Sequence, residues 1–263
     1  MSQKRIVPTV HDVAAFEAAV AAGRPVILDL PLDAAARERL VLDVQAAFRQ
    51  QQELFVFMGD SCEHRTIAGA DFHEAFRAGS NVFNVVQHTL GPAHVAPLFI
   101  PQVFASPARN LHRNLDEERQ PVSLVASPLF THTPPHVDSG AYGNWMVLVE
   151  GRKLWMLVAP EDEAATWDPR RKAWFCDGEE VTHLLHYGLA GPYQLIYAPP
   201  RWVHGVITLE RALGYGGQFL GHADMGPCLA MTRLLLERGV ENPAYLPLLE
   251  AIAREAGEAV ITA

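Results

Sequence analysis

Cysteine is scarce: the chain has three in 263 residues, Cys62, Cys176 and Cys228, far apart and with no Cys-x-x-Cys spacing. An odd, sparse set makes neither a disulfide framework nor a zinc ribbon, and it favours a reducing compartment. Long apolar runs are missing as well. No stretch reaches about 18 uninterrupted apolar residues, and Met1-Ser2-Gln3-Lys4-Arg5 leads into no apolar h-region, so neither a membrane span nor a signal peptide is expected. The expectation is a soluble, cytoplasmic protein with no membrane partner. Basic charge is in deficit, 21 Lys and Arg against 30 Asp and Glu, for a net charge of −9. That balance argues against a nucleic-acid partner, which needs a basic face. Also absent are a nucleophile elbow, a P-loop and a dinucleotide fingerprint. No repeat, low-complexity tract or linker-like run divides the chain, so a single domain over residues 1–263 is expected.

What is present is a globular composition, 49% hydrophobic and 19% charged, too apolar for a disordered chain and ample for a core. The first part of the chain reads as scaffold. Helices are expected over His11–Ala22, stopped by Gly23-Arg24-Pro25, over Asp33–Arg49 with Leu40, Val44 and Phe48 on one face, and over Asp71–Ala78. Val26–Leu30 and Leu54–Met58 read as strands. From about Ser123 to Leu220 the texture becomes short strands: Ser123–Ala126, Trp145–Val149, Lys153–Val158, Tyr193–Ala198, His204–Leu209 and Ala212–Phe219. Glu150-Gly151-Arg152 and Glu210-Arg211 read as tight hairpin turns, the first with glycine where a positive φ is wanted. The series predicts an antiparallel sandwich or barrel. Two helices close the chain, Pro227–Arg238 and Pro243–Glu258, whose apolar stripes serve either packing or a subunit contact.

The residues that carry chemistry centre on His136-Val137-Asp138. On an extended backbone side chains alternate, so His136 and Asp138 point one way and Val137 the other. An imidazole and a carboxylate side by side supply two ligands of a divalent metal. His204, opening an apolar strand just after Pro199-Pro200, is the candidate third. Two histidines and one carboxylate suit non-haem Fe(II) oxygen chemistry, and zinc accepts the same set. Lys153 shares a strand face with Trp155 and Leu157. Pointed inward it would need an anionic partner and would hold one end of a small dianion; pointed outward it would snorkel beside the turn. Thr133 either adds a hydroxyl to the same anion or serves the turn before Pro134. His132 and His136 are four apart, but Pro134-Pro135 forbids a helix between them. His183 and His186 read as surface histidines of a loop or short helix, and the five tryptophans chiefly as core fillers.

Joined together, these segments are specific. Thr133-Pro134-Pro135-His136-Val137-Asp138, Trp145, Gly151-Arg152-Lys153-Leu154-Trp155 and Pro199-Pro200-Arg201-Trp202-Val203-His204 resemble the JmjC-domain hydroxylases of the cupin superfamily, with Lys153 seventeen residues after His136 as in that pattern. Gln218-Phe219 resembles the end of the family's last core strand. The resemblance covers roughly residues 123–220. It implies a mainly β fold, a double-stranded β-helix (cupin/jelly-roll) core with N-terminal and C-terminal helices. It also implies Fe(II) held by His136, Asp138 and His204. The cosubstrate 2-oxoglutarate would chelate the iron and place its far carboxylate on Lys153 and Thr133, and O2 would be consumed to give succinate and CO2. Two positions depart from the family: Met146 and Gln218 stand where relatives often carry asparagine.

The expected activity is an Fe(II)- and 2-oxoglutarate-dependent dioxygenase that hydroxylates a carbon of a protein or peptide side chain. Demethylation is a lesser reading, since no chromatin-reading zinc motif accompanies the core. The alternatives are the same chemistry on a small-molecule biosynthetic substrate and a non-catalytic, cupin-like metal-binding protein. In relatives the C-terminal helices often form a homodimer contact, which is the expectation for this pair.

Overall fold

The computed structural model describes residues 5–58, 63–80, 83–112 and 122–257. Cys62 and Glu258 lie outside them. The N-terminal part comprises β1 (Arg5–Ile6), β2 (Thr9–Val10), α1 (Val13–Ala21), β3 (Val26–Asp29), α2 (Ala34–Arg49), β4 (Leu54–Met58), β5 (His64–Ile67), α3 (Gly69–Arg77), β6 (Phe83–Thr89), α4 (Pro92–Val95) and α5 (Gln102–Ala105). Then come β7 (Val122–Ser127), β8 (His132–His136), β9 (Gly143–Val158), β10 (Trp167–Asp168), β11 (Ala173–Trp174), β12 (His186–Ala190), β13 (Gln194–Ala198) and β14 (Val203–Phe219). Helices α6 (Met225–Arg238) and α7 (Tyr245–Glu255) end the described chain. None of the described helices is long and apolar enough to cross a membrane.

The core is a jelly roll built on two long bent strands. The first half of β9 pairs with β13 and with the second half of β14, which in turn pairs with β7. The second half of β9 pairs with β12 and with the first half of β14, which pairs with β8. Two four-stranded layers thus share β9 and β14 and face each other across a cavity. On the outer side of β7 the first layer continues through β6 and β4 to β5. On its other edge β13 pairs with β3.

The two expected hairpins are corrected here. Glu150-Gly151-Arg152 and Glu210-Arg211 do not turn the chain back on itself; they are the matched bends of β9 and β14, where the ladder shifts register. Gly151 has φ 79°, and a Cβ there would lie 2.2 Å from the Arg211 carbonyl oxygen, so the bend requires glycine. The bend also changes the phase of β9. Trp145, Val147 and Val149 enter one core cluster, while Met146, Trp155 and Leu157 enter another. Even-numbered residues before Gly151 and odd-numbered residues after it therefore face the same cavity.

Helices α1, α2 and α3 cover the outer face of the first layer. Asp12 and Asp33 cap α1 and α2 through the Ala15 and Ala36 amides, at 2.9 and 2.8 Å. Leu40, Val44 and Phe48 bury one stripe of α2 against Trp145, Val147 and Tyr215 of the sheet. At the other end α6 and α7 bury Cys228, Leu229, Leu235, Leu249 and Ile252 against Val137, Ala141 and Tyr142, so much of their apolar face is spent within the chain. His186 opens β12 rather than lying in a loop or helix; that short strand lacks a strong alternating pattern and is fixed by pairing with β9 and β1.

Candidate metal centre and its cavity

Strand β8 carries two prolines, Pro134 and Pro135, which have no N–H to donate. Among the described residues it pairs only with β14, so it is an edge strand, where prolines are tolerated. Its last residue, His136, is the register partner of His204, and the two rings stand 4.3 Å apart between centroids. Asp138 lies just beyond the strand, at the head of a tight turn over Ser139–Ala141. Val137 points the other way, into the cluster beneath α6 and α7. The Asp138 Oδ1 atom is 3.3 Å from His136 Nε2 and 3.8 Å from His204 Nε2. Two donors each about 2.1 Å from one cation lie at most about 4.2 Å apart, so both separations suit a shared ion. Among the described residues this is the one cluster of three potential ligands, with all donor atoms within 4.8 Å of one another.

Neighbouring groups orient these donors. His136 Nδ1 lies 2.9 Å from the Pro134 carbonyl and His204 Nδ1 3.2 Å from the Trp202 carbonyl. A carbonyl only accepts, so Nδ1 carries a proton in both rings, which leaves Nε2 as the atom each ring can offer a cation. Trp155 stacks on His204, with centroids 5.7 Å apart. Asn144 Nδ2 donates to Asp138 Oδ2 at 3.1 Å, leaving Oδ1 toward the imidazoles. Asp138 is 6% exposed and His204 3%. Burial opposes the Asp138 charge, yet His204, His136 and the Asn144 amide outweigh it and hold its pKa at about 2. Burial, aided by repulsion from His136, lowers His204 to about 4, which keeps the imidazole neutral near pH 7. Burial likewise works against a charged His136, but Asp138 overrides it and raises the pKa above 6.5.

The cavity in front of this trio encloses about 230 Å³ between the two layers. Lys153 lies in its wall, only 4% exposed, so the outward placement is excluded. Its Nζ donates to Ser127 Oγ at 2.7 Å, and Ser127 Oγ donates to Asn84 Oδ1 at 3.1 Å. Burial lowers the Lys153 pKa to about 8. A buried ammonium facing a cavity, with a hydroxyl as its partner, has the charge and the free donors to hold an anion. Thr133 lines the same cavity. The five residues singled out from the sequence, Thr133, His136, Asp138, Lys153 and His204, therefore border one space.

The chain is similar to lysine-specific demethylase 7A. The human protein is 25% identical over 132 residues, covering 46% of this chain and 13% of the relative. The Xenopus tropicalis protein is 23% identical over 128 residues, covering 46% and 14%, and the mouse protein 24% over 131 residues, covering 46% and 13%. The matched region is thus about a seventh of the relatives' length. No family model matches the chain.

Several site residues had no sequence signal. Asn144 and Ser127 are single polar residues in apolar strands, and their direction becomes readable only once the bend in β9 and the ladder with β14 are known. Met146 and Gln218, the two departures, both line the cavity. His112 lines it too and bonds the Gln218 side chain; burial lowers its pKa to about 4.

Proposed function

We propose that the protein is an Fe(II)- and 2-oxoglutarate-dependent oxygenase of the JmjC type, acting on a carbon of a protein or peptide side chain. The observation that carries this reading is the sharing of one cavity by a two-histidine, one-carboxylate donor set and a buried lysine. The donor set fits Fe(II), and the lysine fits the distal carboxylate of the cosubstrate. The similarity to a lysine-specific demethylase agrees with it.

In this reading His136, Asp138 and His204 hold the iron through Nε2, Oδ1 and Nε2. The Pro134 and Trp202 carbonyls keep both Nδ1 atoms protonated, and Asn144 fixes the carboxylate. Lys153 pairs with the far carboxylate of 2-oxoglutarate, assisted by Thr133 and braced by Ser127. Fe(II), 2-oxoglutarate and O2 together supply the oxidising power that hydroxylates an unactivated carbon, with succinate and CO2 as co-products. The protein's part is to orient the ligands and to exclude bulk water with apolar walls such as Trp155 and Val206.

A second reading, favoured by the name of the relatives, places the hydroxyl on an N-methyl carbon of lysine. That carbon then leaves as formaldehyde and frees the amine. The test is oxygen-dependent succinate release by protein loaded anaerobically with Fe(II) and 2-oxoglutarate, with formaldehyde measured alongside. Succinate without formaldehyde supports hydroxylation, and equimolar formaldehyde supports demethylation. Absence of both, with no bound iron, removes the oxygenase reading.

A further inference from the structure

Asp138 is followed by a turn that its own sequence does not hold in place. Gly140 has φ 71° and Ala141 φ 56°, two left-handed residues in succession. Glycine takes that conformation freely, and a Cβ on Gly140 would lie 2.7 Å from the Tyr142 ring. Alanine does not take it freely. Ala141 is therefore strained, and strain of this kind persists only where surrounding bonds over-determine the backbone. Released from those bonds, the turn would relax and carry the Asp138 carboxylate with it.

The bonds come from distant parts of the chain. The Ala141 carbonyl accepts from the Arg201 amide at 3.0 Å and from Cys228 Sγ of α6 at 3.3 Å. Arg201 is itself left-handed, at φ 68°, on the approach to His204. The turn behind one donor of the trio is thus tied to the approach of another. The Gly140 amide donates to Glu241 Oε2 at 2.8 Å, across 101 positions of the chain. Glu241 lies in the connection between α6 and α7, just after Gly239 ends α6 at φ 70° and reverses the chain. Its Oε1 accepts from the Asn242 amide at 2.7 Å, which fixes the direction of the carboxylate. An amide bonded to a carboxylate is charge-assisted, so this is the strongest class of tie the turn receives.

We infer that Glu241 is a positioning residue of the metal centre: through Gly140 it holds the strained turn that aims Asp138 at His136 and His204. The inference rests on the reading of that trio as a metal site, and it adds a residue that does not line the cavity. Asn144 and Glu241 divide the task. Asn144 fixes the rotation of the carboxylate through Oδ2, and the Gly140 bond fixes the backbone from which that side chain starts. A plain tie between the C-terminal helices and the sheet would affect stability alone. A positioning role also changes the geometry of a bound ion.

The test is anaerobic titration of the protein with Co(II), read by affinity and by the visible spectrum of the bound ion. It is run at a temperature where every variant is folded by circular dichroism. Glu241→Gln keeps an acceptor at the same reach and drops the charge, whereas Glu241→Asp keeps the charge and falls one methylene short. The expected result is near-native affinity and spectrum in Glu241→Gln. In Glu241→Asp and Glu241→Ala the affinity should fall about tenfold or more, with an altered spectrum. Glu250→Ala, which breaks the Arg233–Glu250 pair between α6 and α7, should leave both readouts native. Native affinity and spectrum in Glu241→Asp and Glu241→Ala, with only a lower melting temperature, would make Glu241 a structural tie and overturn the inference. A loss in Glu241→Gln with Glu241→Asp native would assign the effect to charge and overturn it as well. No Co(II) uptake by the unmodified protein instead overturns the metal centre itself, and the role of Glu241 with it.

Discussion

The Lys153 ammonium and the Ser127 hydroxyl stand 2.7 Å apart in the wall of the cavity, and Ser127 passes its own proton toward Asn84. The serine oxygen is thereby fixed as an acceptor for the lysine. A hydroxyl compensates only part of the cost of burying an ammonium, which is why burial draws the Lys153 pKa down from 10.5 to about 8. In the unfolded chain the lysine keeps its proton to higher pH. Between about 8 and 10.5 the unfolded state therefore binds more protons, and the stability of the ligand-free protein gains from this residue as pH rises. Below about 8 the penalty is fully present. Lys153→Met should accordingly raise the melting temperature of the ligand-free protein at pH 7, with the difference shrinking above pH 8. An unaltered or lower melting temperature at pH 7 would show that the charge is well solvated.

The same lysine sets a pH dependence for the anion. A dianionic 2-oxoglutarate needs the protonated ammonium, which the ligand-free protein loses above about pH 8. Its affinity should fall with pH above that point, approaching tenfold per unit, and Lys153→Met should flatten the profile. Calorimetric titration with 2-oxoglutarate across pH 7 to 9.5 measures this. In Lys153→Ala the affinity for 2-oxoglutarate should drop far more than that for Fe(II), since only the distal carboxylate loses its partner. Equal loss of both would make the residue structural.

Removing a ligand has a different signature. His136→Ala, Asp138→Ala and His204→Ala each leave two donors of three, and each should abolish stoichiometric Fe(II) binding and oxygen-dependent succinate formation. Anaerobic titration with Fe(II), or with Co(II) as a spectroscopic substitute, reads the metal directly. Turnover retained in any one variant would remove that residue from the centre.

Asn144 acts through Asp138. Its amide occupies Oδ2 at 3.1 Å and helps hold the carboxylate ionised. Asn144→Ala frees the carboxylate to rotate and lets its pKa rise, so metal affinity should fall about 10- to 100-fold while the fold persists. Asn144→Gln, which can restore the donor, should recover part of that loss. A variant with native metal affinity and a native Co(II) spectrum would show that Asp138 is oriented by other groups.

Much of this arrangement was legible from local pattern alone. Alternation along an extended chain puts His136 and Asp138 on one side and Val137 on the other, and the turn past Pro199-Pro200 marks where His204 enters β14. Capping aspartates and a 3.6-residue stripe marked α2. What local pattern does not carry is which strand pairs with which. An apolar run, a glycine at positive φ and a second apolar run describe a hairpin and a bent strand equally well. The choice is made by long-range partners: here β14 runs alongside both halves of β9, so the halves never pair with each other. The same ambiguity hid Asn144, because the phase of β9 changes at a bend that sequence alone reads as a turn; Ser127 on β7 is placed only by its ladder with β14. The half-exposed face of β4 was invisible for a related reason, since Leu54–Met58 reads simply as another strand.

The bend itself is open to test. Gly151 sits at φ 79°, and an added Cβ would meet the Arg211 carbonyl oxygen at 2.2 Å and the Ala212 Cα at 2.7 Å. Both partners are backbone atoms of β14, so relief requires the two strands to separate. The left-handed conformation alone costs an alanine about 1–2 kcal/mol, and the clash adds to it. Each kcal/mol lowers the melting temperature of a chain this size by about 2–4 °C, so Gly151→Ala should melt at least several degrees below the unmodified protein. The functional consequence is more telling. Gly151 lies between Asn144, which bonds Asp138, and Lys153, which bonds Ser127, and the bend keeps both facing one cavity despite their odd separation along the strand. A strand relaxed toward regular pleating would turn one of them away. Gly151→Ala should therefore weaken 2-oxoglutarate binding even at temperatures where the variant is fully folded, whereas a destabilising change in α2 such as Val44→Ala should lower the melting temperature and leave that binding intact. Native 2-oxoglutarate affinity in folded Gly151→Ala would mean that the phase of β9 is set elsewhere.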